Sequence, residues 1–241
     1  MFLFVRRILD CLLPRRVKYS LVRKLPGLEI FCANSFRGID KLWLQDPVFI
    51  DCYYKHQGGS LLDVKKAYLL YLCASKATAI PGDFGEFGVF RGAGSQLMLA
   101  ASNNRKKLLL FDTFEGLPEI KREDGKTWTK GSLSDVSFIE LKTSLGEGNF
   151  EFYKGYFPES AAGVPADTKF AFVHIDFDLY QSTFDAVRFC YERMSQSGIM
   201  LFDDYGVLGC PGVRRAVDEF FRDKLEMVIP NLNGQGVVIK S

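Results

Sequence analysis

Histidine is scarce in this chain, and cysteine pairs of the metal-binding kind are missing from it. His56 and His174 are the only histidines among 241 residues, and none of the six cysteines forms a CxxC pair. Since zinc sites are built from cysteine and histidine at short spacings, the sequence argues against a zinc centre or a relay of several imidazoles. Scattered cysteines are instead typical of reduced, buried thiols in an intracellular protein.

The chain also lacks a strong charge of either sign and a long apolar run. A net charge of +2 gives no indication of a nucleic-acid partner, and we predict none. No stretch approaches the roughly 20 apolar residues needed to cross a bilayer. Near the N-terminus, Arg6 and Arg7 interrupt the apolar residues and no small-residue cleavage site follows, so the pattern is not that of a signal peptide.

Residues 1–25 combine basic side chains with apolar ones at helical spacing. The apolar positions are Phe4, Ile8, Leu9 and Leu12. They predict a short amphipathic helix that packs on the domain or on a second subunit, or else contacts a membrane surface. We therefore expect a cytoplasmic protein that forms a homodimer, and we leave open a peripheral membrane contact through this segment.

From residue 61 onward, strand patterns alternate with helix patterns, which is typical of a mostly parallel sheet covered by helices. The predicted strands are 83–87, 107–112, 150–155, 172–180, 198–204, 226–230 and 236–241. The predicted helices are 61–78, 95–103, 134–146, 181–196 and 211–224. The fold class is therefore α/β, a doubly wound, mostly parallel sheet of seven strands with an antiparallel last strand. We predict two regions, a helical or irregular cap over 1–60 and one domain over 61–241.

A glycine-rich turn follows the first predicted strand, in the stretch GDFGEFGVFRGAGSQ at 82–96. Glu86 ends the strand, Gly88 opens the turn, and Gly92 and Gly94 lead into a helix. Glycines are needed where backbone approaches a ligand closely, and the amides at a helix N-terminus suit an anion. The spacing is not that of the dinucleotide fingerprint, and an ordinary turn between strand and helix is the alternative.

Acidic side chains follow the next strands. Asp112 ends the second strand, where an acid can accept hydrogen bonds from both hydroxyls of a ribose; a helix cap or loop aspartate is the alternative. Asp176 and Asp178, two residues apart on the predicted fourth strand, should lie on one face of it. Asp203 and Asp204 end the fifth strand.

The four aspartates of the fourth and fifth strands should converge, because the carboxyl ends of parallel strands form one edge of the sheet. Carboxylate oxygens without thiolate or imidazole are suited to Mg²⁺, Ca²⁺ or Mn²⁺. Solvated loop aspartates are the alternative. His174 lies two residues before Asp176, and we expect a neutral histidine packed beside the ligands rather than a ligand.

Four motifs together are similar to the macrocin O-methyltransferase family. They are EFGVFRGAGS, FDTFEGLPE, HIDFDLYQST, and DDYG followed by PGVRRAVDEF, and the resemblance covers about residues 82–222. It implies a Rossmann-like class I methyltransferase that uses S-adenosylmethionine and Mg²⁺ to methylate a sugar hydroxyl. Ala93 departs from the family, in which a second consecutive glycine is common at this position.

The resemblance also implies roles for individual residues. Those expected to contact S-adenosylmethionine are Glu86, Phe87, Gly88, Arg91, Gly92, Gly94, Ser95, Asp112, Thr113, Gly155, Tyr156, Phe157 and Asp176. Asp176, Asp203 and Asp204 match the magnesium ligands. Asp178 matches the general base, although Asp176 can take that role. The expected substrate is a small molecule or glycan that bears a vicinal diol.

Two other enzyme classes fit parts of the pattern. A metal-dependent catechol-type O-methyltransferase shares the fold and the carboxylates but fits the two central motifs less well. A nicotinamide-dependent oxidoreductase would place an acid at Asp112, yet it leaves the carboxylates of the fourth and fifth strands unexplained. The polar loop 119–133 follows the ribose acid and is either a lid or a mobile surface loop.

Overall fold

The structure is a computed structural model of the chain, and it describes residues 42–56 and 61–241. The chain divides into two compact units, Met1–Ile50 and Asp51–Ser241. The predicted N-terminal amphipathic helix and the junction at residue 60 lie outside the described residues, so the division into cap and domain stays a prediction. Among the described residues, no helix combines the length and apolar character needed to cross a membrane.

The second unit is built on one mixed sheet. Its described strands are β1 Asp83–Phe87, β2 Leu108–Asp112, β3 Phe150–Lys154, β4 Phe170–Ile175, β5 Met194–Phe202, β6 Ile229–Pro230 and β7 Gly236–Ile239. Their order is β3-β2-β1-β4-β5-β7-β6. Strands β1 to β5 are parallel, whereas β7 is antiparallel to both β5 and β6. The predicted seven-stranded, doubly wound α/β sheet with an antiparallel last strand is confirmed.

Helices connect and cover these strands. The described helices are α1 Pro47–His56, α2 Val64–Ala77, α3 Ala93–Ser102, α4 Phe138–Leu145, α5 Tyr180–Tyr191 and α6 Pro211–Phe221, with short 3₁₀ helices at Leu42–Gln45, Arg122–Asp124 and Glu159–Gly163. Helix α2 packs against α3, and α5 packs against α6. Every residue of β4 is buried, as expected for a central strand that is covered on both faces.

Phenylalanines form the core beneath the ends of β1 and β2. Phe87 stacks on Phe111 with ring centroids 4.5 Å apart, and both side chains are fully buried. Phe157 meets both rings edge to face. Each such aromatic pair adds about 0.5–1.5 kcal/mol beyond its buried area. The rigid core therefore holds the turns that follow the two strands.

Several predicted element boundaries are wrong, including the start of α4, at Phe138 rather than residue 134, and the end of β5, at Phe202 before Asp203 and Asp204. Strand β4 ends at Ile175, so Asp176 and Asp178 lie in the loop after it and not on one face of a strand. Helix α5 ends at Tyr191 and β5 already begins at Met194. The polar residues 195–197 resemble a loop in sequence, but they form an irregular part of β5 in which Ser197 has a φ of 65°.

Gly88 is the glycine that the fold needs most. Its φ is +95°, and a Cβ there would lie 2.0 Å from the backbone oxygen of Asp176. We expect Gly88→Ala to lower the free energy of unfolding by about 3 kcal/mol or more, because backbone strain and a backbone clash add. Gly131→Ala is the control: its φ is +79°, yet nothing lies within 4 Å, so strain alone should cost about 1 kcal/mol.

Urea unfolding followed by circular dichroism measures both variants. Equal losses of unfolding free energy in the two variants would contradict the close approach between the turn after β1 and the loop after β4.

Candidate active site

A cavity of about 380 Å³ opens where β1, β2, β4 and β5 end. Most of the residues predicted to bind ligands line it: Glu86, Gly88, Arg91, Gly94, Asp112, Thr113, Gly155, Tyr156, Phe157, Asp176, Asp178, Asp203 and Asp204. Segments far apart in sequence are brought together because parallel strands present their carboxyl ends at one edge. The cavity thus joins the glycine-rich turn to the four aspartates.

Three of the predicted cofactor residues do not line this cavity. Phe87 is fully buried in the phenylalanine core. Gly92 precedes α3 with a φ of 78° and packs against Leu141. Ser95 is fully buried and donates a hydrogen bond to Oε2 of Glu86. The structure therefore gives these residues supporting positions, and their contact with a cofactor stays a prediction.

Glu86 is a buried carboxylate at the end of β1, and only 1% of its surface is exposed. Burial raises its pKa, and hydrogen bonds from His174 and Ser95 oppose that rise. A Cβ on Gly94 would lie 2.1 Å from Oε1 of Glu86. The first turn of α3 therefore needs a glycine because the Glu86 carboxylate fills the space beside it.

Asp112 ties together the turns that follow β1 and β2. Its Oδ2 accepts hydrogen bonds from the backbone amides of Val89 and Phe90, at 2.8 and 3.0 Å. Its Oδ1 accepts one from the amide of Phe114, at 2.7 Å. The two amides use both lone pairs of Oδ2, whereas Oδ1 keeps one that can accept a hydrogen bond from a hydroxyl. Asp112 thus fixes the shape of the pocket, and its contact with a ribose stays a prediction.

His174 lies between two carboxylates. Its Nδ1 is 3.4 Å from Oε1 of Glu86, and its Nε2 is 3.5 Å from Oδ1 of Asp203. Burial alone would lower the pKa of His174, but the hydrogen bonds to Asp203 and Glu86 outweigh it and raise the pKa to about 10. The two carboxylates favour the protonated imidazole, in contrast to the expected neutral histidine, and His174 links Glu86 to Asp203.

Asp203 is the most heavily paired carboxylate of the site. Its Oδ1 accepts a hydrogen bond from Nε2 of Gln235 at 2.7 Å, and its Oδ2 lies 2.6 Å from Nζ of Lys66. Burial alone would raise its pKa, but His174 and Lys66 outweigh that and lower the pKa to about 2. Lys66 also reaches Oδ1 of Asp204 at 2.8 Å. Asp203 is therefore ionised throughout the physiological range.

Asp176 and Asp178 belong to different groups although they are two residues apart. Asp176 lies with His174 and Asp203, so that ligand atoms of the three are within 4.8 Å of one another. Asp178 forms a similar group with Asp204 and Cys210. The backbone produces this separation, because Asp178 has a φ of 61° and turns away from the line of β4.

Asp178 is held by two donors. Nε1 of Trp128 donates to its Oδ1 at 3.0 Å, and Sγ of Cys210 approaches the same oxygen at 3.5 Å. Its side chain is largely buried, and burial together with the nearby charge of Asp204 raises its pKa well above the usual range. A carboxylate in such surroundings takes up a proton more readily than an exposed one.

Loop 119–133 is anchored to the site rather than lying free on the surface. Asp124, which is 4% exposed, accepts hydrogen bonds from the amides of Lys121 and Tyr180, at 2.8 and 2.7 Å. Tyr180 is the first residue of α5, immediately after the Asp178 turn. The same loop carries Trp128, so its position and that of Asp178 are set together.

Sequence reasoning missed four residues of this site: Lys66, Trp128, Cys210 and Gln235. Lys66 lies in the first turn of α2, where the helix dipole disfavours a positive charge, and that conflict was a usable signal. Trp128 is a large aromatic residue in an otherwise polar loop, and that contrast was a second usable signal. Cys210 and Gln235 had no signal, because only the fold brings them near the aspartates.

Comparison with known proteins identifies the family. The profile of the macrocin O-methyltransferases matches residues 71–240, which is well over half of the chain. The chain belongs to the macrocin O-methyltransferase family. It is accordingly an O-methyltransferase, from a family that uses S-adenosylmethionine, and the resemblance seen in its motifs is confirmed.

Individual relatives agree with this assignment. The chain is 27% identical to the 8-demethyl-8-(2,3-dimethoxy-α-L-rhamnosyl)-tetracenomycin-C 4'-O-methyltransferase of Streptomyces olivaceus over 210 residues, which cover 80% of this chain and 79% of the relative. It is 32% identical to the demethyldecarbamoylnovobiocin O-methyltransferase of Streptomyces niveus over 157 residues, or 58% of each chain. Among solved structures, the O-methyltransferase NovP shares the fold with a TM-score of 0.65 at 24% identity, over 76% of this chain and 82% of NovP.

The anchoring role of Asp124 can be tested by proteolysis of its loop. We expect Asp124→Ala to speed tryptic cleavage within loop 119–133 by about 5-fold or more, because the amides of Lys121 and Tyr180 lose their acceptor and the loop opens more often. Glu119→Ala is the matched control, since Glu119 lies in the same loop but is an exposed partner of Lys130. Mass spectrometry of timed digests locates the cuts.

Equal cleavage rates for Asp124→Ala and the unmodified protein would show that Asp124 does not hold the loop.

Proposed function

We propose that this enzyme transfers the methyl group of S-adenosylmethionine to a hydroxyl of a sugar, with a divalent cation orienting a vicinal diol of the acceptor. One observation carries the proposal: the glycine-rich turn and two groups of aspartates open into one cavity. The name of the Streptomyces olivaceus relative describes methylation of a rhamnosyl group, which supports a sugar acceptor. A glycoside, a glycan and a nucleotide sugar all fit this chemistry.

The turn between β1 and α3, with the end of β2, forms the cofactor half of the cavity. Gly88 and Gly94 line the cavity with backbone atoms, and Asp112 holds the amides of the turn in place. Tyr156 follows β3, lines the same cavity and is about half exposed, so its ring is free to cover an adenine. These residues would bind and orient the cofactor with its methyl group toward the aspartates.

The chemistry of the aspartates fits a hard divalent cation. Burial raises the pKa of Asp176 well above the usual range, and the negative charges of Asp203 and Asp204 raise it further. The four aspartates outnumber the positive groups that face them, and their carboxylate oxygens suit Mg²⁺. Asp176, Asp203 and Asp204 would hold the cation. When bound, it would lower the pKa of an acceptor hydroxyl and fix the diol.

Asp178 is placed to accept the proton of the acceptor hydroxyl. It lines the cavity next to Asp204, and its raised pKa brings it nearer to that of an effective base at neutral pH. Trp128 and Cys210 hold its Oδ1, and Asp204 is a further hydrogen-bond neighbour of the carboxyl group. Asp176 is the alternative base, but its place beside Asp203 and His174 favours a ligand role.

The other predictions about partners extend this proposal. A homodimer, and a peripheral membrane contact through residues 1–25, remain predictions because that segment lies outside the described residues. Membership of a methyltransferase family favours methyl transfer over the oxidoreductase alternative. A catechol-type acceptor would need the same cation, so a screen of acceptors separates it from a sugar.

Cofactor and metal can be tested together on the unmodified protein. We expect S-adenosylhomocysteine to bind in calorimetry while NADH does not. We expect methyl transfer to a sugar hydroxyl in a screen of nucleotide sugars, glycans and glycosylated natural products, and we expect a chelator to stop it and Mg²⁺ to restore it. Catechols provide the comparison acceptors.

Binding of NADH in preference to S-adenosylhomocysteine would refute the proposal that S-adenosylmethionine is the cofactor. Undiminished methyl transfer in the chelator would refute the proposed requirement for a divalent cation.

Because the proposal gives the aspartates different roles, substitutions at Asp203 and at Asp178 should cause different defects. Asp203→Ala should abolish turnover and Mg²⁺ binding but leave S-adenosylhomocysteine binding nearly intact, because it removes a ligand from the acceptor side. Asp178→Asn should keep Mg²⁺ binding and lower kcat by about 10²–10⁴-fold, as expected for loss of a general base. Calorimetry and initial rates separate the two.

If Asp178→Asn retained full activity while Asp176→Asn lost it with Mg²⁺ still bound, the base would be Asp176.

A further inference from the structure

We infer that Lys66 is a resident cation of the acceptor side and that its ammonium group competes with the divalent cation for Asp203 and Asp204. The inference rests on the metal site of the proposed function and adds a residue from α2 to it. Nζ of Lys66 lies 2.6 Å from Oδ2 of Asp203 and 2.8 Å from Oδ1 of Asp204. It therefore occupies one oxygen of each of two carboxylates that the metal would need.

The side chain of Lys66 is enclosed rather than spread over the surface. It is 13% exposed, against 5% for Asp203 and 14% for Asp204, and it lines the cavity. Within residues 42–56 and 61–241, no other lysine or arginine forms an ion pair with these two aspartates. In such surroundings the attraction between opposite charges is several times stronger than in water, so the contact restrains both partners.

The position of Lys66 in the chain also points to a role in the site. It is the third residue of α2, where unpaired amides and the helix dipole favour acidic side chains. Asp63 caps the helix by accepting from the amides of Lys65 and Lys66, which covers the backbone and not the ammonium charge. Local helix energetics therefore do not account for Lys66, whereas the two aspartates do.

An ammonium group and a divalent cation cannot share these oxygens at contact distance, because two positive charges at that separation repel strongly. Four unbranched carbons carry the ammonium, so it can swing aside without moving the helix. Lys66 would thus neutralise the aspartates in the metal-free protein and withdraw when the cation enters. Its presence should weaken cation binding and stabilise the protein without metal.

Adjacent lysines supply a matched pair of variants. Lys66→Met keeps the length of the side chain and removes the charge, and Lys65→Met makes the same change at an exposed neighbour on the same helix turn. In calorimetry, we expect Lys66→Met to bind Mg²⁺ at least about 5-fold more tightly than the unmodified protein, the range of an ordinary coupling between two sites. Lys65→Met should match the unmodified protein, and Lys66→Arg, which keeps the charge, should not bind more tightly.

Thermal unfolding gives a second readout that does not involve activity. In a chelator, Lys66→Met should unfold at a lower temperature than Lys65→Met, because the buried aspartates lose their counter-charge. Added Mg²⁺ should raise its unfolding temperature by more than it raises that of the control.

A third measurement needs no variant, and it tests the competition between Lys66 and the divalent cation even if Lys66→Met does not fold. The unmodified protein is acetylated briefly with an N-hydroxysuccinimide ester, with chelator or with Mg²⁺, and labelling at Lys66 and Lys65 is compared by mass spectrometry. We expect Mg²⁺ to raise the labelling of Lys66 relative to Lys65.

Each outcome bears on the inference. Unchanged or weaker Mg²⁺ binding by Lys66→Met, or constant relative labelling of Lys66, would overturn the competition while leaving Mg²⁺-dependent methyl transfer in the unmodified protein intact. Absence of Mg²⁺ binding in all variants would overturn the competition and the proposed metal together, and chelator-resistant methyl transfer would identify that case.

Discussion

Compensation of buried negative charge is the constraint on which the rest of this site depends. Asp176, Asp178, Asp203 and Asp204 meet where β4 and β5 end, and carboxylates in such a position are costly unless cations or donors face them. His174 faces Asp203 from inside the sheet, and Lys66 faces Asp203 and Asp204 from the cavity. The fold supplies these two positive groups from β4 and α2.

The same charges connect the two halves of the cavity. From the first turn of α3, a chain of side-chain contacts between buried residues runs through Ser95, Glu86 and His174 to Asp203. Glycine is needed at position 94 because Glu86 occupies the space, and at position 88 because the Asp176 backbone does. The shape of the glycine-rich turn between β1 and α3 and the position of the aspartates are therefore set by the same contacts.

The backbone also separates the aspartates by task. Asp176 lies with His174 and Asp203, whereas Asp178, which has a left-handed backbone conformation, contacts Trp128 and Cys210. One group gathers around an imidazole and a lysine, and the other around an indole and a thiol. The proposal takes the metal ligands Asp176 and Asp203 from the first group and Asp204 from the second, and it assigns proton transfer to Asp178.

The sequence by itself determined the order of strands and helices, the glycine turn, and the arrival of acids at the ends of β2, β4 and β5. These features are local, since apolar runs, glycines and helix caps act within a few residues. Only the tertiary structure decided that β4 ends before Asp176, that His174 lies between Glu86 and Asp203, and that Lys66, Trp128, Cys210 and Gln235 join the site. Their roles arise from neighbours 29 to 138 residues away in sequence, and charge pairing or burial at such separations exists only once the sheet has formed.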